Sequence, residues 1–397
     1  MTFLAGKTGR LFIINLLTAV SYAFILPVMS LYLINGLHAK PLFISFYGLG
    51  FALSGLFFSQ LMGRMVDNGY SDKKLFIVSL LALFLAGVSF AVCQSPLQAV
   101  VTGIFLMGPG NASIPLLLSM IRKYSVTMGL NSTRLNTQMR SGVSIVWIVG
   151  PALAFIFADQ YGFIFNFLAS AVLSGLTMLL SLILLSDTKS RYAAHPAAEQ
   201  RRIPVTVWLL GSVMLLANLS NNLYLTVMPL YLVGDLGMPA WFPGFLLGST
   251  AILEIPVMLG AAHLAERLGK TPLMLAGFAA ACAYYGLLQI AASMALLITL
   301  QLLNGVFFGI FVGLGISLIQ EALPERSGFA SAFYSNAMRL GMMAGNGIAG
   351  VAAQAVGFKM TLLVPLVSVM GAAGLMFFTS KRQQRKSQPH MSEKFLS

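Results

Sequence analysis

The sequence predicts an all-α polytopic membrane protein with twelve transmembrane helices in two parallel six-helix repeats. Three observations predict this fold class: few charged residues, twelve long apolar stretches, and a set of motifs that recurs half a chain length later. Of 397 residues, 58% are hydrophobic and only 9% are charged. A soluble globular protein carries about 25% charged residues. The composition therefore excludes cytosolic enzymes, secreted disulfide scaffolds and disordered proteins.

Twelve stretches of the chain reach the roughly 20 mainly apolar residues that a membrane-spanning helix needs. In the first half they cover residues 11–34, 42–65, 75–92, 97–121, 135–158 and 163–185. In the second half they cover residues 205–233, 241–264, 272–290, 294–319, 329–356 and 361–378. The longest polar connection separates the two sets. We therefore expect an N-terminal bundle over 1–186, a cytoplasmic linker over 187–203, a C-terminal bundle over 204–380 and a cytoplasmic basic tail over 381–397.

The positive charges are distributed unevenly over the predicted loops. Of the 24 Lys and Arg residues, 20 fall on one face, and only Lys40 and Lys359 fall on the other. The remaining two, Arg140 and Arg339, lie inside apolar helices. Positive loop charges stay on the cytoplasmic side of a membrane. The net charge of +13 is therefore best explained by topology, with both termini and the linker in the cytoplasm.

An internal repeat becomes visible when the second half is shifted by 199 residues. Four sets of residues then coincide, namely 28–33 with 227–232, Phe43 and Phe46 with Phe242 and Phe245, Asp67 with Glu266, and 139–142 with 338–341. A shift by six helices preserves topology, so the halves are parallel repeats. This is the relation between the halves of major facilitator transporters. We expect a substrate site between the halves near the midplane and transport by rocking of one half against the other.

Two short loops in equivalent positions, residues 63–74 and 262–270, resemble the major facilitator loop signature G-x-x-x-D-R-x-G-R-K. A small residue permits close helix approach, and an acid can accept from helix N-termini and Arg side chains. The candidate cytoplasmic latch residues are Gly63, Asp67, Lys73, Glu266, Arg267 and Gly269. The first copy departs from the signature, with Asn68 at its Arg and Tyr70 at its later Gly. An ordinary charged turn is the alternative interpretation.

Glycine and proline interrupt the predicted fourth and fifth helices. Gly150-Pro151 predicts a kink in the fifth helix and partly resembles a Gly-Pro signature common in exporters of the superfamily. A purely structural kink is the alternative. Residues 108–111, Gly-Pro-Gly-Asn, predict a break in the fourth helix that exposes backbone carbonyls to a cavity.

Only Arg140, Glu254 and Arg339 are ionisable residues deep within predicted spans. A charge there costs about 2.5–3.5 kcal/mol on insertion scales, so each is a candidate for proton coupling or gating. Burial favours a neutral carboxyl group and a nearby cation favours a charged one. We hypothesise that Arg140 and Glu254 pair in one conformation and separate when a proton or substrate arrives. A static salt bridge between helices is the alternative.

Amide and tyrosine side chains on the predicted spans suggest a ligand. The candidate substrate-binding residues are Tyr22, Asn111, Asn221, Asn222, Tyr224, Asn304 and Asn336. Amides offer donors and acceptors, and tyrosine offers a stacking face and a hydroxyl. This mixture suits an uncharged hydroxylated ligand such as a sugar. Hydrogen bonding between helices is the alternative role for each residue.

Over essentially its whole length the chain resembles the sugar efflux transporter family of the major facilitator superfamily. The most specific segments are 139–155, 221–230, 244–256 and 300–304. The resemblance implies bacterial inner-membrane export of sugars such as lactose, glucose or glucosides, driven by proton antiport. Two positions depart from the family pattern, Val227, where family members carry Asp, and Arg339. The first leaves Glu254 as the stronger protonation candidate, and specificity is expected to differ.

An exporter of drugs or amino acids on the same fold is the first alternative, and a more aromatic, less Asn-rich cavity would favour it. A membrane-embedded enzyme is a remote alternative, because the four histidines have no metal spacing and no nucleophile–base motif is present. We expect no enzymatic activity, no cofactor and no metal. The expected partners are a small-molecule substrate, protons and the lipid bilayer, without nucleic acid, and the expected state is a monomer.

Overall fold

The computed structural model describes residues 7–129, 132–185 and 203–387. Almost all of the predicted linker and the last ten residues of the predicted tail lie outside these ranges. Within them the chain is helical and contains no β-strand. The predicted all-α fold class is confirmed.

The first half contains six long helices. They are α1 (Lys7–Ala23), α2 (Leu42–Asp67), α3 (Asp72–Val92), α4 (Pro96–Thr127), α5 (residues 132–161) and α6 (residues 163–184). Helices α5 and α6 form one continuous stretch, Ser132–Leu184, except at Gly162, where φ is 84° and ψ is 166°. Only glycine adopts this conformation without strain, so Gly162 marks the boundary between the two helices.

The second half repeats this organisation. Its helices are α7 (Val205–Leu230), α8 (Phe242–Leu268), α9 (Lys270–Leu288), α10 (Met294–Ala322), α11 (residues 327–356) and α12 (Leu363–Ser387). Gly357, with φ 79° and ψ 169°, ends α11 as Gly162 ends α5. Nine stretches of the described residues are long and apolar enough to cross a membrane, with α5 and α6 joined in one of them. Helix α1 is shorter, at 17 residues.

Contacts divide the described residues into two compact units. The first takes in the described part of Met1–Ala197 together with Leu232–Gly248, and the second the described part of Ala198–Tyr231 together with Ser249–Ser397. The start of α8 therefore packs within the first unit, where Gly244 approaches Ala152 and Phe155 of α5. The predicted bundle boundaries at 186 and 204 remain a prediction.

The repeat detected in the sequence is also a repeat of backbone conformation. A five-residue π-helical turn stands at Tyr32–Gly36 and again at Tyr231–Asp235. After each turn comes a residue with positive φ, His38 at 51° and Gly237 at 63°. These positions differ by the same 199 residues. The matching turns therefore provide a structural basis for the sequence repeat.

The Gly-Pro segment of α4 alters its backbone hydrogen bonds. A π-helical turn at Gly103–Met107 pairs the Gly108 N–H with the Gly103 carbonyl, and in that register Ile104 would accept from Pro109, which has no N–H. The Ser54 hydroxyl of α2 donates to the Ile104 carbonyl instead, at 2.5 Å. A neighbouring helix thus satisfies the carbonyl that Pro109 leaves without a donor, and an unpaired carbonyl in lipid would cost several kcal/mol. The exposure of backbone carbonyls to a cavity at residues 108–111 remains a prediction.

An ion pair links the start of the third helix to the end of the fourth in each half, with the charges exchanged. In the first half Asp72 of α3 pairs with Lys123 of α4 at 2.8 Å, and the side chains are 6% and 11% exposed. In the second half Lys270 of α9 pairs with Glu321 of α10, and the side chains are 25% and 61% exposed. Helix dipoles favour an acid at the start of a helix and a base at the end, and only the first pair has this arrangement.

We expect the two pairs to differ in their contribution to stability. Lys123→Met leaves a buried carboxylate without its cation, which costs about 3–5 kcal/mol, whereas Lys270→Met removes a more exposed pair worth up to about 1 kcal/mol. The measurement is the thermal unfolding midpoint of each purified variant in the same detergent. Equal decreases in the two midpoints would contradict the expectation that the buried pair contributes more to stability than the exposed pair.

Candidate functional site

Helices α7, α8, α9 and α10 of the second unit share a buried polar cluster, which we call the polar belt. It consists of Tyr224, Thr250, Tyr284, Gln301 and Asn304. Four of these side chains are 2% exposed or less, and Thr250 is 9% exposed. Two of the five, Tyr224 and Asn304, are predicted substrate-binding residues.

A chain of hydrogen bonds connects the polar belt. Thr250 donates to Gln301 Oε1 at 2.6 Å, and Gln301 Nε2 donates to the Tyr284 hydroxyl at 3.2 Å. The Tyr284 hydroxyl donates in turn to the Tyr224 hydroxyl at 2.5 Å. Asn304 Nδ2 donates to Gln301 Oε1 at 3.3 Å. The belt therefore joins four helices through neutral side chains.

One acceptor of the polar belt has no partner. Asn304 Oδ1 is buried and accepts no hydrogen bond from the residues that the structure describes. A buried polar atom without a partner is rare in native proteins and calls for an explanation. The edge-to-face packing of the Tyr224 and Tyr284 rings, with centroids 5.5 Å apart, adds an aromatic surface to the same belt.

Glu254 lies in the middle of α8, at the thirteenth of its 27 residues. It follows Thr250 by four residues, so the two side chains share one helix face, and Glu254 is half-buried. Among the side chains that the structure describes, no basic group forms an ion pair with Glu254. The backbone of Arg140 is described but its side chain is not, so the predicted Arg140–Glu254 pair remains a prediction.

A stripe of glycines on α10 holds α8 at close range. Gly305, Gly309 and Gly313 recur every four residues along one face of α10. A Cβ atom at Gly309 would lie 2.8 Å from the Glu254 carbonyl oxygen, and one at Gly305 would lie 2.7 Å from Leu253 Cβ. Small residues allow such backbone approach between membrane helices. The stripe therefore sets the position of the α8 turn that carries Glu254.

Other predicted ligand residues lie in different surroundings. In the first unit, Tyr22 is buried and its hydroxyl lies 3.2 Å from the Ser113 hydroxyl of α4. Asn111 is half-buried and lies against Gly55 of α2, whose added Cβ would be 2.7 Å from Asn111 Nδ2. These contacts agree with the alternative role of hydrogen bonding and packing between helices.

In the second unit, Asn221 is buried, and Asn222 Nδ2 donates to the Asn218 carbonyl of its own helix at 2.9 Å. Asn336 and Arg339 are both exposed on α11. The structure thus brings two of the seven predicted ligand residues into one cluster and leaves the others apart from it.

The predicted latch residues lie at helix ends. Asp67, Glu266 and Arg267 are exposed, and Gly269 has a positive φ of 83° before α9. A Cβ added at Gly63 would have nothing within 4 Å of it. Lys73 Nζ donates to the carbonyls of Leu182 and Leu185, at 2.8 and 2.6 Å, and so caps the end of α6.

Helix α5 packs against α1 through the predicted Gly-Pro segment. A Cβ at Gly150 would lie 2.5 Å from Ala23 Cβ, so Gly150 is required for this approach. Within Ser132–Leu184 only Gly162 leaves the helical region, so α5 continues through Pro151. The predicted kink remains a prediction.

Sequence reasoning missed Thr250, Tyr284 and Gln301. Their signal was spacing: Thr250 lies four residues before Glu254, and Gln301 lies three before Asn304, which places each pair on one helix face. Tyr284 had no such signal, because only tertiary packing brings α9 to the belt. In the described residues no group of three His, Cys, Asp or Glu side chains could hold a metal ion.

Comparison with known proteins adds family information. The family model of the Major Facilitator Superfamily matches residues 11–288 and 210–396. Sugar efflux transporter A of Dickeya chrysanthemi is 31% identical over 390 residues, which cover 95% of this chain and 99% of that protein. Sugar efflux transporter B of Salmonella typhimurium is 30% identical over 361 residues, which cover 90% of this chain and 92% of that protein.

Two solved structures are similar in fold at low sequence identity. The nucleoside transporter NupG superposes with a TM-score of 0.75 at 15% identity, covering 95% of this chain and 98% of that one. A bacterial homolog of the human lysosomal transporter Spinster superposes with a TM-score of 0.76 at 12% identity, covering 96% and 97%. At these identities the similarity concerns the fold alone.

The glycine stripe generates a stability prediction. Gly309→Ala places a methyl group against the Glu254 carbonyl and Val257, and such overpacking costs about 1–3 kcal/mol. Gly286→Ala of α9 is the matched control, because nothing lies within 4 Å of its added Cβ and Ala favours a helix over Gly. Thermal unfolding should show a decrease for the first variant alone. A Gly309→Ala protein as stable as the control would contradict the close approach.

Proposed function

The chain belongs to the sugar efflux transporter family of the major facilitator superfamily, and we propose that it exports sugars or glycosides by alternating access coupled to proton antiport. As a family member it is a multi-pass membrane transporter and not an enzyme. Its relatives named sugar efflux transporters support the substrate class. The observation that carries the proposal is the polar belt, with Glu254 one helical turn from Thr250.

The chemistry of the polar belt supports an uncharged, hydroxyl-rich substrate. The belt presents hydroxyl and amide groups and no charge of its own, so it can exchange hydrogen bonds with sugar hydroxyls without burying an unpaired ion. Asn304 Oδ1 is the available acceptor, and a sugar hydroxyl would satisfy it. The Tyr224 and Tyr284 rings belong to the same belt but are buried here, so alternating access would have to expose them before a sugar ring could pack on their faces.

Proton coupling is assigned to Glu254. An ionisable group within a membrane helix marks a functional site by default, and a carboxyl can carry one proton per cycle. The glycine stripe holds the Glu254 backbone against α10, so a change in its charge acts on the neighbouring Thr250 and through it on the polar belt. Arg140 and Arg339 are the proposed charged partners in gating.

The remaining proposals concern location, orientation and partners. The excess of Lys and Arg on one set of loops supports a cytoplasmic location of both termini, and the bacterial relatives support an inner-membrane location. The latch residues would then stabilise one conformation from the cytoplasmic side. Protons and lipid are the proposed partners besides the sugar, and the proposed state is a monomer.

Everted membrane vesicles test the substrate class and the coupling together. With an imposed proton gradient, we expect uptake of at least one labelled sugar or glycoside from a panel, because antiport runs into everted vesicles. Vesicles without the gradient and vesicles lacking the protein are the controls. Uptake that ignores the gradient would contradict antiport. Transport of drugs or amino acids in place of every sugar would favour the alternative exporter.

Replacing Glu254 separates coupling from binding. In Glu254→Gln we expect gradient-driven uptake to fall to the level seen without a gradient, because an amide cannot take up the coupling proton. Exchange of labelled for unlabelled sugar should continue, because the polar belt is intact. The matched control is Asp159→Asn, since Asp159 is an exposed acid of α5 and should retain coupling. Undiminished gradient-driven uptake by Glu254→Gln would contradict the assignment.

A further inference from the structure

The repeated motif Met-Arg-x-Gly, at 139–142 and 338–341, has the same hydrogen-bond partner in both units. In the first unit Asn15 Nδ2 of α1 donates to the Met139 carbonyl at 2.9 Å. In the second unit Asn218 Nδ2 of α7 donates to the Met338 carbonyl at 2.5 Å. Each accepting carbonyl belongs to the residue immediately before an intramembrane arginine.

The glycine of the motif meets the same part of the facing helix in both units. A Cβ at Gly142 would lie 2.8 Å from the Phe12 ring and 2.9 Å from Leu16. A Cβ at Gly341 would clash with the Leu215 carbonyl and lie 3.1 Å from the Leu219 nitrogen. The glycine of the motif thus permits a close helix approach. The Met carbonyl three residues before that glycine accepts the hydrogen bond from the asparagine.

The two asparagines cannot be matched by the repeat offset. Asn15 and Asn218 differ by 203 residues, as do Phe12 and Leu215, and Leu16 and Leu219, whereas the motifs differ by 199. The first half therefore has four more residues between Asn15 and Tyr32 than the second half has between the equivalent residues Asn218 and Tyr231. There α1 ends at Ala23 and turns occupy residues 24–28. The hydrogen bond is therefore kept, although the first half has four more residues, about one helical turn, between the asparagine and the π-helical turn.

Geometry and burial indicate that this bond constrains the arginine-bearing turn. Asn15 and Asn218 are 8% and 7% exposed, and a buried amide in an apolar helix needs a partner. A carbonyl has two lone pairs, so it can accept from an amide in addition to its own helix. A side-chain donor that reaches the carbonyl from a facing helix restricts rotation of the acceptor helix about its axis.

We propose that Asn15 and Asn218 are positioning residues for Arg140 and Arg339. Each sets the rotation of α5 or α11 against the first helix of its unit, and so the direction in which the arginine leaves the helix. The assignment of a transport role to the arginines rests on the proposed function. The geometric role of the asparagines does not.

A matched control is available in the second unit. Ser368 of α12 donates to the Leu216 carbonyl at 2.8 Å, so it also joins a helix to α7, close to Asn218. Ser368→Ala removes one buried hydrogen bond between helices, as Asn218→Leu does, but it does not act on α11.

The first experiment measures geometry without transport. Cys93 and Cys282, the two native cysteines, are replaced by Ser, Arg339 is replaced by Cys, and the rate of maleimide labelling is measured in detergent. We expect Asn218→Leu to change this rate by about threefold to eighteenfold, since a hydrogen bond between membrane helices is worth about 0.6–1.7 kcal/mol. Ser368→Ala should leave it unchanged. Equal rates in parent and Asn218→Leu would overturn the proposal.

The first unit supplies a second variant if Asn218→Leu does not fold. Asn15→Leu is combined with Arg140→Cys, and its control is Ser170→Ala, because Ser170 of α6 donates to the Ser21 carbonyl of α1 at 2.7 Å. The same change in labelling rate is expected for Asn15→Leu alone. An unchanged rate in Asn15→Leu would likewise overturn the proposal.

The second experiment asks whether the asparagine acts through the arginine. Initial transport rates are measured for Asn218→Leu, Arg339→Gln and the double variant. We expect each single variant to be slower and the double variant to match Arg339→Gln, whereas Ser368→Ala should slow transport to the same extent in both backgrounds. If the double variant instead loses rate by the product of the two single losses, Asn218 acts independently of Arg339, and the positioning role would be overturned. If no sugar is transported at all, the proposed function fails while the labelling result still decides the geometry.

Discussion

In a lipid bilayer, a backbone carbonyl that loses its helical partner cannot turn to water, and this constraint explains several helix contacts of the protein. Pro109 removes the donor that Ile104 would use, and Ser54 of the neighbouring helix supplies one. At the end of α6, on the predicted cytoplasmic side, Lys73 donates to the carbonyls of Leu182 and Leu185, which water could also reach. Such contacts do more than join helices, because each places one element of the fold at a defined rotation and depth.

Contacts between helices are more similar in the two units than the residues that form them. The ion pair between the third and fourth helices is retained with acid and base exchanged. The asparagine that reaches the Met carbonyl is shifted by four sequence positions between the units, yet it makes the same contact. The Coulomb attraction between an acid and a base is the same when the two exchange places. Four residues are about one full turn of a helix, so a shift of four positions keeps a side chain on the same helix face. Both changes therefore leave the packing of each unit intact.

The candidate site combines a rigid frame with neutral polar groups. The glycine stripe of α10 brings α8 within direct backbone contact, and the polar belt then joins α8 to α7, α9 and α10 through Thr250, Gln301 and the tyrosines. A carboxyl on such a frame needs little movement to influence its neighbours. In the proposed mechanism, Glu254 acts on this cluster through Thr250, which lies one helical turn away on α8.

The sequence by itself determined the fold class, the twelve helices, the parallel repeat and the three intramembrane charges. These depend on local composition and on periodicity, which require no knowledge of distant contacts. Only the tertiary structure decided which polar residues act together. Tyr224 and Asn304 join one cluster while Asn111 and Tyr22 lie elsewhere, and Asp72, an unremarked acid, forms the buried ion pair. The reason is physical: partners across helices are selected by how the helices pack, and a single repeat offset cannot reveal a contact whose sequence offset differs by four residues.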